Sequence, residues 1–155
     1  MLQKKEGPVR ILLAEDNPAD VYLIRRALNE SESGYELDVV SDGQNALDFL
    51  GRRGAFTQAH TPALIVLDLN LPKYDGAEIL QQIRQDQRLA PIPVIILTSS
   101  DSPKDRQTVD ALGATKYIRK PSSLHEFMAI ETVIQEALTS ESLPSTETGE
   151  GLPSR

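Results

Sequence analysis

Two uninterrupted apolar runs, Leu64-Ile-Val-Leu67 and Val94-Ile-Ile-Leu97, constrain this chain more than any other feature. Neither alternates with polar residues, so each reads as a strand covered on both faces, as in a parallel sheet sandwiched between helices. Each run passes straight into polar residues, Asp68 after the first and Thr98-Ser99-Ser100-Asp101 after the second. A third apolar run, Val9-Arg-Ile-Leu-Leu-Ala14, ends in Glu15-Asp16. A carboxylate held where a buried strand leaves the core loses hydration, and it needs a cation nearby to offset that cost.

Helix signals lie between the strands. Asn17 suits an N-cap, Pro18 a first helical position, and Asp20 the favourable first turn; Val21, Ile24, Ala27 and Leu28 form one stripe. Ser33-Gly34 ends that helix, and Tyr35–Val40 is a second strand. Ser41-Asp-Gly-Gln44 has capping-box spacing and starts a second helix with Ala46, Leu47 and Leu50 inward. Residues 51–62 form a loop long for such a domain, read as a surface insertion. Asp75 or Gly76 opens a third helix with Ile79, Leu80 and Ile83 inward, Asp75 serving as cap and not as a ligand. Ser102-Pro103 begins a fourth, closed at Leu112-Gly113 by a left-handed cap. A short strand over 114–118 follows, then Ser123-x-x-Glu126 and one helix through Leu138.

Five successive β-α units with crossovers long enough for helices predict an α/β, flavodoxin-like doubly wound fold. Its five-stranded parallel sheet would have the order 2-1-3-4-5. The domain is expected over 9–138, after an extension at 1–8. In 139–155, 11 of 17 residues are Gly, Pro, Ser or Thr, which predicts a disordered tail.

Composition removes several functions. A net charge of −7 disfavours nucleic acid as partner. The absence of cysteine removes disulfides and thiolate zinc sites, and the two histidines, His60 and His125, read as surface residues. No signal peptide and no membrane-spanning run are present, so a cytoplasmic location is expected.

Parallel strands end at one edge, which collects Glu15, Asp16, Asp68, Thr98, Ser99 and Lys120. Converging carboxylates repel one another, and an oxygen-only donor set without His or Cys suits Mg²⁺. Lys120 can pair with Asp68 or with a phosphate on it, and Thr98 offers a hydroxyl to a phosphoryl oxygen. These parts fit phosphoryl transfer to Asp68 as nucleophile.

The set Glu15-Asp16, Asp68, Thr98-Ser99 and Lys120-Pro121, over residues 9–138, resembles the receiver domain of bacterial response regulators, the CheY-like fold. Asp68-Leu-Asn-Leu-Pro-x-x-Asp-Gly, the 51–62 loop and the absence of an output domain resemble the stand-alone regulators paired with cyanobacterial phytochromes. The resemblance implies that Asp68 accepts a phosphoryl group from a sensor histidine kinase. It implies Mg²⁺ on Asp16, Asp68 and the Asn70 backbone carbonyl, with Glu15 acting directly or through water. Thr98 and Lys120 would contact the phosphoryl oxygens, Thr98 and Tyr117 would form a switch pair acting on the helix 4–strand 5–helix 5 face, and Lys120–Pro121 would be cis. A downstream phosphotransfer protein is a further implied partner. The broad apolar arc Ile130, Val133 and Ile134 suits a homodimer interface, unless the sheet covers it.

Other classes fit less well. A haloacid-dehalogenase-type hydrolase expects a second acid two residues after its nucleophile, where Asn70 stands, and carries that nucleophile on its first strand. A flavodoxin-like binder would need a phosphate loop where Glu15-Asp16 repel anions. A pseudo-receiver binding module would not need so complete a site. The chain is therefore expected to be no enzyme beyond self-catalysed phosphoryl acceptance and slow autodephosphorylation.

Overall fold

The computed structural model describes residues 7–29 and 34–142. Its strands are β1 (Val9–Ala14), β2 (Tyr35–Val40), β3 (Leu64–Leu67), β4 (Val94–Thr98) and β5 (Lys116–Arg119). The helices are α1 (Pro18–Asn29), α2 (Gly43–Gly51), α3 (Gly76–Gln85), α4 (Pro103–Ala111), α5 (Leu124–Phe127) and α6 (Ile130–Ser142). The sheet is parallel throughout, in the order β2-β1-β3-β4-β5. The predicted topology is therefore the observed one.

Alternation along each strand divides the core in two. Leu12, Ala14, Ile65, Leu67 and Ile96 pack with α2, α3 and α4, while Ile11, Leu13, Leu64, Val66, Ile95 and Leu97 pack with α1, α5 and α6. Ile79, Leu80 and Ile83 of α3 are fully buried, each contributing about 1.5–3 kcal/mol by leaving water. The 51–62 segment contains a 3₁₀ turn, Gly54–Phe56, whose Phe56 ring packs tilted against Phe49, with centroids 5.4 Å apart. It joins the C-terminal end of α2 to the start of β3, at the sheet edge opposite Asp68.

Several boundaries differ from expectation. The cap of α2 is Asp42, whose carboxylate accepts from the Asn45 amide at 2.7 Å, and not Ser41; the same carboxylate lies 3.7 Å from the Lys73 ammonium. β5 starts at Lys116 because the Ala114 amide is used to close α4, on Val109 O. The last helix is two. The Ala129 amide bonds Glu126 O, three residues back, so the four-residue ladder lapses for one turn. α6 then runs on to Ser142, past the boundary expected at Leu138. The rest of the tail, and residues 1–6 of the extension, lie outside the described residues.

No cis peptide occurs among the described residues, so Lys120–Pro121 is trans. Trans is the lower form of an X–Pro bond by about 0.5–1 kcal/mol. Here both anchors of Lys120, its amide on Thr98 O and its ammonium among carboxylates, are made with that bond trans. The Ile130–Val133–Ile134 arc is also accounted for within the domain. Ile130 and Ile134 are buried on the sheet and Val133 packs against the same cluster, so these side chains are core.

One close approach fixes the loop after β3. A Cβ at Gly76 would lie 2.6 Å from Asp68 O and 2.8 Å from Leu69 Cα, both backbone atoms that cannot swing aside. Gly76 therefore lets α3 begin directly against the Asp68 backbone. Gly76→Ala is expected to destabilise the fold by about 1–3 kcal/mol, the usual size of an overpacking clash. A urea midpoint unchanged from wild type would contradict this.

Candidate functional site

Glu15, Asp16, Asp68, Thr98 and Lys120 sit at the C-terminal ends of the strands, because parallel strands all exit there. β1 delivers Glu15, 2% exposed, and the exposed Asp16. β3 delivers Asp68, 4% exposed, β4 the fully buried Thr98, and β5 the half-buried Lys120. The backbone closes this edge: the Asp68 amide donates to Ala14 O at 3.1 Å and the Lys120 amide to Thr98 O at 2.7 Å.

Asp68 is held at both carboxylate oxygens. The Asn70 amide donates to Oδ1 at 3.0 Å and Lys120 Nζ donates to Oδ2 at 2.9 Å. The same ammonium donates to Asp20 Oδ2 at 2.7 Å and lies 2.9 Å from Glu15 Oε1. The Glu15 contact is an ion pair without hydrogen-bond directionality, so this buried oxygen has charge compensation but no directed donor. Glu15 Oε2 accepts from the Asn17 amide at 3.0 Å. Asn17 Oδ1 also caps α1, accepting from Ala19 at 2.9 Å, as its sequence position predicts.

The charges are unbalanced. Burial raises the Glu15 pKa, and the neighbouring Asp68 charge adds to the rise against the lowering pull of Lys120 and the Asn17 amide. Burial pulls the Lys120 ammonium down, but its close contacts with the Asp20, Glu15 and Asp68 carboxylates outweigh it and hold its pKa above the ordinary value. Three carboxylates thus share one lysine, with Asp16 as a fourth acid beside them. Glu15, Asp16 and Asp68 each present an oxygen, all within 4.8 Å of one another. An oxygen-only set with an undirected buried carboxylate oxygen fits a hard divalent cation.

Thr98 and Tyr117 are joined through Ser100. The Ser100 amide donates to Thr98 Oγ1 at 3.3 Å, and Tyr117 OH donates to Ser100 O at 2.8 Å. Arg106 of α4 covers the Tyr117 ring, its guanidinium carbon 5.1 Å from the centroid. Asn70 Nδ2 reaches Thr98 Oγ1 at 3.5 Å. Asn70 is an amide within this network, not the acid that a hydrolase of the dehalogenase type would place there.

Two residues here escaped sequence reasoning. Asp20 was legible only as a favourable charge in the first turn of α1, since its partner Lys120 is 100 residues away. Ser100 reads as an ordinary loop residue, because its links to Thr98 and Tyr117 are made by its backbone. Conversely, Asp75 is the α3 cap, in a full capping box with Glu78, and His60 and His125 are exposed, all three as expected.

A family model described as the response regulator receiver domain matches residues 11–131. The chain belongs to that family. It is 36% identical over 146 residues to the response regulator Rcp1 of Synechocystis sp., covering 94% of this chain and 99% of Rcp1. Among solved structures it is similar to the phosphorylated cyanobacterial phytochrome response regulator RcpA, at 38% identity and TM-score 0.82, over 88% of this chain and 98% of that one. It is also similar to the Mn²⁺-bound form of Rcp1, at 34% identity and TM-score 0.75, over 93% of this chain and 99% of that one. The receiver thus resembles phytochrome-associated regulators of two-component systems. No helix among the described residues is long and apolar enough to cross a membrane.

The raised pKa of Glu15 sets a direction for stability against pH in EDTA. Its carboxyl is protonated more readily in the folded chain than in the unfolded one, whose value is near 4.5. That contribution is therefore fully present below 4.5 and is lost as pH rises through the raised folded value. Glu15→Gln should flatten this segment of the stability curve and stabilise the chain at neutral pH. Parallel curves for the two proteins from pH 4 to 8 would refute it.

Proposed function

We propose that this receiver accepts a phosphoryl group on Asp68 from the phosphohistidine of a sensor histidine kinase. The observation that carries the reading is the setting of Asp68 itself. It is a buried strand-end carboxylate, pinned by the Asn70 amide and the Lys120 ammonium and adjoined by Glu15 and Asp16.

An Asp68 oxygen forms the new P–O bond as the donor's P–N bond breaks, and the histidine nitrogen departs with the bonding pair. Lys120 neutralises charge on the transferring oxygens, and the Thr98 hydroxyl donates to one of them. Mg²⁺, held by Asp16, Asp68 and the Asn70 backbone carbonyl with Glu15 beside them, would supply charge neutralisation to the same oxygens. The chemistry stays on the chain's own aspartate, so the protein is a switch and not a turnover enzyme. Its similarity to the phytochrome response regulator RcpA supports a phytochrome as the kinase, and its membership of the receiver family supports the cytoplasm as the place of work.

The signal leaves through Thr98. A hydroxyl drawn to the phosphoryl group gives up its contact with the Ser100 amide, and Ser100 O is what holds Tyr117. The face built from α4, β5 and the helices after it would then be remodelled. Titration with beryllofluoride and Mg²⁺ should move the amide resonances of Ser100, Arg106 and Tyr117; static resonances there would reject this route.

Acetyl phosphate with Mg²⁺ should add a single phosphoryl group by intact mass, and Asp68→Asn should take none. Labelling of that variant at the wild-type rate would remove Asp68 as acceptor.

A further inference from the structure

Lys120 has three N–H donors and three carboxylates around it, and the nearest oxygen belongs to Asp20, not to the acceptor Asp68. Building on the phosphoryl acceptance proposed above, we infer that Asp20 is a positioning residue for that reaction, tethering the Lys120 ammonium over Asp68. Lysine carries its charge on a flexible four-carbon stem and does not hold a fixed direction unaided. Of its three partners, Asp68 is consumed as nucleophile, and Glu15 stands among the three convergent carboxylates that fit a metal ion. Asp20 belongs to neither task. It is fixed on the first turn of α1, where its amide donates to the Asn17 cap at 3.4 Å. Its oxygen is therefore the anchor that stays in place while the bonding at Asp68 changes.

The sign of the effect separates this role from simple electrostatics. If Asp20 acted only as a negative charge beside an anionic donor, removing it would speed phosphorylation. As a tether, its removal slows phosphorylation, because Lys120 no longer meets the transferring oxygens in register.

The test uses the full chain with phosphoramidate at saturating Mg²⁺, followed by intact mass. Asp68 forms its P–O bond as the donor's P–N bond breaks, and the protonated nitrogen leaves as ammonia. Asp20→Ala is expected to lower the maximal rate about tenfold, the scale of a misplaced electrostatic group. Asp20→Asn, which keeps an acceptor oxygen without the charge, should recover most of it. In a Lys120→Met background, Asp20→Ala should change nothing further, since the effect runs through Lys120. A rate equal to or above wild type for Asp20→Ala, or the same loss in the Lys120→Met background, overturns the inference. Wild type that takes no label overturns the phosphorylation reading instead, and this inference with it.

Discussion

The ammonium of Lys120 is the interaction on which the rest of this edge depends. Parallel strands deliver Glu15, Asp68 and Lys120 to one line, and the first turn of α1 adds Asp20 from above it. One positive charge faces several negative ones in a partly buried place, where charges are screened less than at the surface. The arrangement is incomplete on its own, as the raised pKa of Glu15 indicates. A second cation, or a change in the charge carried by Asp68, would alter every contact that Lys120 makes. That sensitivity to added charge is what the proposed switching would use.

The backbone makes the cluster possible. Asp68 cannot drift because Gly76 places the start of α3 against its carbonyl, and Asn70 turns its amide onto Oδ1. Thr98 cannot drift because it is fully buried and its carbonyl accepts from Lys120. The polar groups are thus positioned by apolar packing beneath them, with the continuous runs of β3 and β4 as the rigid base.

Much of this was readable in the chain. Fold class, strand order and the strand-end residues follow from continuous apolar runs that terminate in polar residues, a pattern that survives small boundary errors. What was not readable has a common cause. Asp20 and Lys120 are far apart in sequence, so their pairing depends on how α1 leans over the strand ends. Ser100 meets Thr98 and Tyr117 through backbone atoms that every residue shares. The lapse between α5 and α6 and the Asp42 cap are choices among near-equivalent hydrogen bonds, where local signals compete within about 1 kcal/mol. The trans bond at Pro121 is a similarly small preference.

Under the proposed phosphorylation, Ser100 is the segment through which a change at Asp68 would reach the far side of the domain. Its amide answers to Thr98 and its carbonyl to Tyr117, so one peptide segment reports on the site and restrains an aromatic ring. The ring is itself clamped by Arg106, and the Ser100 hydroxyl bonds Asp105 near the start of α4 at 2.6 Å. A displacement of this segment therefore cannot be absorbed locally. It must be shared with α4, which contributes a single buried residue, Val109, and is the main helix least committed to the core. The helix that such a displacement would reach first is thus also the main helix with the fewest buried side chains to hold it in place.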